Sequence, residues 1–161
     1  MTDRSGIICA GNWIVDLIHE LDRWPNESEL VRIGTQARGV GGGPANVITT
    51  LAKLETGLPL YPMGAIGEDE YGAFILKECR RLGLPTSGLI SKTNVATAHT
   101  HVMSVAGQSR TFFYQGGAND SLNIDDFPEG TFKDTSALIF YLGYLTSVSY
   151  THLRAHETTS D

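Results

Sequence analysis

The chain is poor in the features that mark exported and membrane-spanning proteins. Two cysteines among 161 residues are too few for a disulfide framework, and Cys9 and Cys79 lie in apolar patterns typical of buried thiols in a reducing compartment. No stretch approaches the roughly 20 consecutive apolar residues of a membrane span. The first apolar run is interrupted by Asn12 and Asp16, so no signal-peptide pattern is visible. We therefore expect a cytoplasmic protein.

Positive charge is scarce as well. Twelve Lys and Arg residues oppose 18 Asp and Glu residues, which gives a net charge of −6, and the positive residues form no block. A nucleic-acid backbone or an anionic membrane needs such a block, so neither is expected as a partner. Apolar residues make up 41% of the chain and charged residues 19%, as in a globular core rather than a disordered chain. The length suits one compact domain or part of a larger one.

The apolar patterns alternate between short strand-like runs and helical stripes. Strands are expected at residues 7–11, 58–63, 99–105, 110–115 and 137–145, and helices at residues 44–57 and 68–82. Residues 31–40 alternate between polar and apolar side chains before the first helix. Strands that alternate with helices indicate an α/β fold with a mostly parallel sheet, into which a hairpin is inserted.

The densest local signal is the glycine-rich run at residues 41–46, Gly-Gly-Gly-Pro-Ala-Asn. Glycines before a helix let a ligand approach the backbone N–H groups, and Asn46 adds an amide donor and acceptor. A connection that only permits close packing of strand and helix is the alternative. Nucleotide-binding fingerprints do not fit, because Pro44 occupies the place of their third glycine and no Lys follows residues 34–39.

Asp16 follows the first apolar strand, at the sheet edge where α/β proteins place ligand-binding residues. A carboxylate there can accept hydrogen bonds from two neighbouring hydroxyls, as in a sugar diol, although a solvated loop acid or a local cap is the alternative. Asn46 makes a polyol site more plausible. His99 and His101 share a strand face, but no third ligand stands at a useful spacing, so no metal site is predicted.

Four segments, in the same order, resemble the pfkB family of ribokinase-like carbohydrate kinases: residues 11–18, 41–46, 64–72 and 110–119. The resemblance covers about residues 7–145, which correspond to about half of a typical member. It implies a mostly parallel central sheet flanked by helices, with a small β lid formed near residues 29–39 and 99–115. In such kinases the lid closes over the sugar and often forms a homodimer contact.

The resemblance also implies a substrate site. Asp16 would hold sugar hydroxyls, the backbone of Gly42 and Gly43 would line the sugar, and Asn46 would bind another hydroxyl. Members of the family use ATP and Mg²⁺ to phosphorylate a hydroxyl of a sugar or nucleoside.

Two lid residues, His101 and Phe113, are expected to cover the sugar by the same resemblance. Two other positions depart from the ribokinase pattern. Ile14 stands where many members carry a sugar-binding Asn, and Gly143 stands where ribokinases place an acidic residue. We therefore do not expect the sugar to be bound in the ribokinase manner.

The family's second signature is an Asp with a Gly-Ala-Gly-Asp anion hole, whose last Asp is the catalytic base, and it does not occur in the sequence. We therefore expect residues 1–146 to form the amino-terminal part of a truncated kinase domain, with no catalytic base and no tight binding of ATP or Mg²⁺. Residues 147–161 leave the family pattern and are expected to be disordered, and residues 148–158 within them resemble translated sequencing-adapter read-through. Two interpretations remain: an inactive part of a sugar kinase, or a non-catalytic polyol-binding or regulatory module.

Overall fold

Two four-stranded sheets organise the protein, for which the computed structural model describes residues 4–127 and 133–143. The strands are β1 (Gly6–Gly11), β2 (Ile14–Leu21), β3 (Ile33–Gly41), β4 (Leu60–Gly67), β5 (Leu89–Lys92), β6 (His99–Val105), β7 (Thr111–Gln115) and β8 (Ala137–Gly143). The helices are α1 (Gly43–Lys53) and α2 (Glu70–Arg81), with short 3₁₀ turns at Gly117–Ser121 and Ile124–Asp126. No helix in these described ranges is long and apolar enough to cross a membrane.

The core sheet has the strand order β5-β4-β1-β8, and all of its strands are parallel. This sheet confirms the expected α/β architecture. Parallel strands need cover on their faces, and the main apolar cluster joins the sheet to both helices through fully buried side chains such as Ile66, Ile48 and Ile75. Both cysteines belong to this cluster, and burial raises the pKa of the Cys9 and Cys79 thiols to about 11.

The second sheet, called the lid sheet below, has the order β3-β2-β6-β7. β2 pairs antiparallel with β3 and parallel with β6, and β7 pairs antiparallel with β6. Strands β3, β6 and β7 lie in the two regions, near residues 29–39 and 99–115, where lid strands were expected. The lid also contains β2, which was not predicted as a strand, because Asp16 was expected just after β1. The polar and apolar alternation expected of such a strand is hard to recognise in β2. Val15 and Leu17 lie on one face, but the other face carries both the charged Asp16 and the apolar Ile18.

Several elements differ from the sequence prediction. β4 continues to Gly67 instead of ending at residue 63, α1 ends at Lys53 rather than near residue 57, and the four-residue strand β5 was not predicted. Pro62 lies inside β4, where the missing N–H is tolerated because β5 pairs with β4 only from Gly64 onward. α2 begins at Glu70 rather than at residue 68, because the Asp69 side chain accepts a hydrogen bond of 2.8 Å from the Gly72 N–H and caps the helix.

Asp69 also joins α2 to the lid sheet through Thr97, which is fully buried just before β6. The Thr97 hydroxyl donates to Asp69 Oδ1 at 2.6 Å, and its oxygen accepts from the Gly67 N–H at 2.8 Å. Burial alone would raise the pKa of Asp69, but its bonds from Thr97 and Gly72 outweigh burial and hold the pKa below its ordinary value. The ionised Asp69 carboxylate therefore holds Thr97, just before the lid strand β6, against the start of α2.

β8 forms one edge of the core sheet in the described part of the chain. Four large apolar side chains on this strand are between 44% and 70% exposed: Leu138, Ile139, Phe140 and Leu142. An exposed apolar edge strand promotes association with other chains, because its backbone groups can pair with a further strand.

Candidate sugar site

Asp16 lies in the middle of β2, not in a loop after β1 as the sequence analysis placed it. Its register partners are Gly39 on β3 and Thr100 on β6. Side chains of directly paired residues share a sheet face, and Thr100 forms a side-chain hydrogen bond with Asp16. A Cβ at Gly41 would overlap the Asp16 carboxylate, so the absence of a side chain at this position makes room for it.

The Asp16 carboxylate is half-buried, and its electrostatics reflect three influences. Burial raises its pKa above the ordinary value, while the hydrogen bond from Thr100 and the positive charge of Arg110 oppose that increase. A partly desolvated carboxylate gains more from accepting hydrogen bonds than a fully hydrated one does. Asp16 is therefore suited to accept hydrogen bonds from the hydroxyls of a polar ligand.

The glycine-rich run lies where β3 ends and α1 begins. Gly42 is the N-cap of α1 with φ +97°, and a Cβ there would overlap the carbonyl oxygen of Asn12. No side chain caps the amino terminus of α1, so its first N–H groups remain available in the described structure. The first turn contains Gly43 and Asn46, and the Asn46 side chain is exposed and forms no hydrogen bond with the described residues.

These positions adjoin one another through β3. Gly39 and Gly41 lie beside Asp16, and the chain then passes directly through Gly42 into the first turn of α1. A carboxylate acceptor and a set of backbone donors with partial positive charge therefore lie at the same end of β3. This combination offers both acceptors and donors to hydroxyl groups.

A buried amide fixes the link between the two sheets, and the sequence analysis treated its segment only as a turn that borders the ligand. Asn119 is 1% exposed. Its Oδ1 accepts from the Trp13 N–H at 3.2 Å, and its Nδ2 donates to the Trp13 carbonyl oxygen at 3.1 Å. The Trp13 indole in turn donates to the Met63 carbonyl oxygen at 2.9 Å. Asn119 is thus a positioning residue for the start of β2 and, through β2, for Asp16.

His101 and Phe113 lie on the opposite face of the lid sheet from Asp16. They pair with each other, and His101 also pairs with Leu17, the residue that follows Asp16 on β2. Neighbouring residues of a strand point to opposite faces, and Leu17 packs against the core cluster. The expectation that these two side chains cover a sugar at Asp16 does not agree with this register.

Two other lid residues share the face of Asp16. Thr100 pairs with Asp16 on one side and with Tyr114 on the other, so all three side chains project from the same face. The Asn119 amide lies 3.5 Å from the Tyr114 hydroxyl. Alternate residues of a strand share a face, so the sequences of β6 and β7 limit which side chains can lie together. With the register relative to β2, this alternation identifies Thr100 and Tyr114 as neighbours of Asp16.

The histidines form a cluster on the face that His101 occupies. His19 Nε2 lies 3.1 Å from His101 Nδ1, and the ring centroids of His99 and His101 are 5.6 Å apart. The described residues contain no group of three or more His, Cys, Asp or Glu side chains arranged to hold a metal ion.

Comparison with known proteins decides the family. The model of the pfkB family of carbohydrate kinases matches residues 4–150. The chain belongs to this family. A 5-dehydro-2-deoxygluconokinase from Listeria innocua is 32% identical over 139 residues, which are 84% of this chain and 41% of that protein. A ribokinase from Bacillus subtilis is 30% identical over 117 residues, which are 71% of this chain and 39% of that protein.

Solved structures show the same fold. The ribokinase of Arabidopsis thaliana, complexed with ribose and ATP, superposes with a TM-score of 0.71 and 27% identity over 86% of this chain and 45% of that one. The ribokinase of Giardia lamblia superposes with a TM-score of 0.72 and 21% identity over 86% of this chain and 41% of that one. The ribokinase-like fold is therefore confirmed.

The chain spans about two fifths of the length of the curated relatives named above. The family match ends at residue 150, inside the stretch 147–161 that was expected to leave the family pattern. That stretch lies outside the described residues, so its predicted disorder stays a prediction.

Proposed function

We propose that this pfkB family chain supplies part of the sugar site of a kinase that transfers the γ-phosphoryl group of ATP to a hydroxyl of a sugar or sugar acid. The half-buried Asp16 carboxylate beside the uncapped amino terminus of α1 is the observation that supports this function best. Family membership adds the reaction class. ATP supplies the phosphoryl group when it is bound, and the described residues serve the acceptor side of the reaction.

Each site residue has a role that follows from its position. Asp16 accepts hydrogen bonds from two adjacent hydroxyls, since its carboxylate has free lone pairs beyond the bond from Thr100. The backbone N–H groups at Gly42 and Gly43 contact the sugar without interference from a Cβ. Asn46 binds a further hydroxyl with its exposed amide. Together these groups hold and orient the sugar.

Two substrate classes deserve comparison, because the relatives differ in the compound that their names give. A 5-dehydro-2-deoxygluconokinase acts on a sugar acid, whereas a ribokinase acts on a neutral sugar. Arg110 lies close enough to Asp16 for its charge to lower the pKa of that carboxyl. An arginine beside the sugar hydroxyls can form a charge-assisted pair with a substrate carboxylate, which favours the sugar acid.

The chain by itself is proposed to bind its sugar without phosphorylating it. The sequence has no Gly-Ala-Gly-Asp motif to supply a catalytic base, and the described residues contain no group of three or more His, Cys, Asp or Glu side chains arranged to hold a metal ion. The same observations favour the second candidate, a non-catalytic polyol-binding or regulatory module. An in-frame Gly-Ala-Gly-Asp motif downstream of codon 161 in the gene would support the kinase, and a stop codon there would support the module.

Calorimetric titration of the 161-residue chain with 5-dehydro-2-deoxygluconate and with ribose tests the sugar site. Asp16→Asn keeps the shape but weakens the acceptor, and we expect an affinity loss of about tenfold. Asp22→Asn removes the same charge from an exposed residue one position beyond β2 and should leave affinity unchanged. Arg110→Gln should weaken the sugar acid and not ribose.

Equal losses in the Asp16 and Asp22 variants, or no binding of any sugar, would refute the proposed site. A separate assay of ADP formation from ATP in the presence of the bound sugar tests the proposed inactivity. Turnover that exceeds the background and disappears with Asp16→Asn would show that a catalytic base lies within these 161 residues.

A further inference from the structure

A second cavity, of about 320 Å³, lies where the lid strand β3 meets helices α1 and α2. Arg38 from β3, Lys53 from α1 and Arg81 from α2 line it. Arg38 pairs with Leu17, and therefore points away from the face that carries Asp16. This cavity, called the cationic cavity below, is thus separate from the sugar site.

The cationic cavity carries an excess of positive charge in a protein whose net charge is −6. One carboxylate lines it, that of Glu78, and Arg81 already pairs with Glu78 at 2.9 Å. Arg38 and Lys53 are both exposed, and neither forms an ion pair or a hydrogen bond through its side chain within residues 4–127 and 133–143. Two positive charges that line this cavity are therefore not neutralised by a carboxylate of the described residues.

Arg38 is held in an orientation that suits an anion. Its guanidinium carbon lies 4.4 Å from the centre of the Phe74 ring, so the cation lies over the aromatic face. No side chain or carbonyl in the described ranges accepts a hydrogen bond from its N–H groups. These donors match two oxygens of a phosphate group in a bidentate arrangement.

Favourable interaction with the helix dipoles explains only some of the positive side chains that line the cationic cavity. Lys53 and Arg81 lie in the last turns of α1 and α2, where positive side chains interact favourably with the carboxyl end of a helix. Arg38 lies on a strand, so that explanation does not apply to it. Its convergence with Lys53 on the same cavity is the observation that indicates a ligand site.

We propose that the cationic cavity binds a phosphate-bearing small molecule, with Arg38 as the bidentate donor and Lys53 as a second positive contact. The volume suits a phosphate group with a small organic substituent. Because Arg38 belongs to the lid sheet and Lys53 to a helix of the core, the bound anion would join the two parts. The site does not depend on the sugar site proposed above.

Titration of the full chain with inorganic phosphate at low ionic strength, followed by calorimetry, tests the site. We expect one saturable site, and a loss of affinity of about tenfold in Arg38→Gln and in Lys53→Gln. Lys77→Gln removes the same charge from an exposed position of α2 outside the cavity and should bind phosphate as the unsubstituted chain does. Glycerol 3-phosphate, compared with inorganic phosphate, shows whether a phosphate ester or free phosphate is the preferred ligand, and glycerol alone is the control for the organic part.

Arg38→Lys separates charge from geometry, because it keeps the positive charge and removes the planar fork. We expect it to weaken phosphate binding less than Arg38→Gln but measurably. Circular dichroism establishes that each variant retains its fold before it is titrated. The proposal is overturned if phosphate shows no saturable binding to the folded chain, or if Lys77→Gln reduces affinity as much as Arg38→Gln does.

Discussion

Substitution of Gly42 by alanine tests how the site is built, because this glycine meets two structural demands. Its φ of +97° and ψ of 148° lie in a region that side chains with a Cβ rarely occupy. An alanine Cβ would also overlap the carbonyl oxygen of Asn12, which belongs to backbone and cannot turn away. The start of α1 would have to move relative to the connection between β1 and β2.

The magnitude follows from these two costs. An unfavourable backbone conformation of this kind costs about 1–3 kcal/mol, and relief of the overlap adds to it, so we expect Gly42→Ala to lower the free energy of unfolding by about 2–4 kcal/mol. For a chain of this size each kcal/mol lowers the melting temperature by about 2–4 °C. Urea denaturation followed by circular dichroism measures the change directly.

Gly39→Ala is the matched control, since Gly39 lies near the end of β3, three positions before Gly42. A Cβ there would meet no atom within 4 Å, and its φ is not positive. Alanine at such a position restricts the unfolded chain and should change the free energy of unfolding by less than about 1 kcal/mol in either direction. If Gly42→Ala proves as stable as Gly39→Ala, the close approach of α1 to the Asn12 carbonyl is not part of the native structure.

Three further predictions concern other parts of the molecule. Thr97→Val leaves the Gly67 N–H without its partner and should lower the free energy of unfolding by about 1–3 kcal/mol, whereas Thr50→Val on the exposed face of α1 should change it by less than about 0.5 kcal/mol in the same urea assay. Leu138→Lys should reduce self-association in sedimentation velocity by placing a charge on the exposed β8 edge, while Leu30→Lys, which lies in an exposed loop, should not. Burial, together with neighbouring histidine charges, lowers the pKa of His101 below its ordinary value of 6.5. The neutral ring therefore contributes stability that is present above about pH 6.5 and is lost as the pH falls below that value, so His101→Gln should reduce the fall of the urea midpoint between pH 6.5 and about pH 5 and leave it unchanged above pH 6.5.

The elements that the sequence predicts correctly are those whose pattern is local. β1 is a short apolar run that ends at a glycine, and α2 has a clear apolar stripe with charges that suit its two ends. The glycine-rich run marks the start of α1 within one residue, because Pro44 and the glycines before it are strong signals of a helix start. In these segments, neighbouring residues alone determine the structure.

The lid sheet could not be predicted to the same extent, because its faces depend on pairing between distant strands. The spacing of His101 and Phe113 indicates that each lies on a strand, but only the register with β2 shows that they face away from Asp16. A shift of one residue in that register would reverse every face. Single-strand patterns do not specify this register, so the side chains that surround the site could not be assigned from the sequence.

The position of Asp16 depends on both sheets at once. β2 follows β1 after only Asn12 and Trp13, so the chain leaves the core sheet and enters the lid sheet within two residues. Asn119 holds the Trp13 backbone from the segment after β7, and the Trp13 indole bonds to β4. A change in the orientation of the lid must therefore alter these bonds or bend β2 beyond them. The carboxylate proposed to bind the sugar therefore lies on a strand whose start is bonded to the core through Trp13 and whose length is paired with the lid strands β3 and β6.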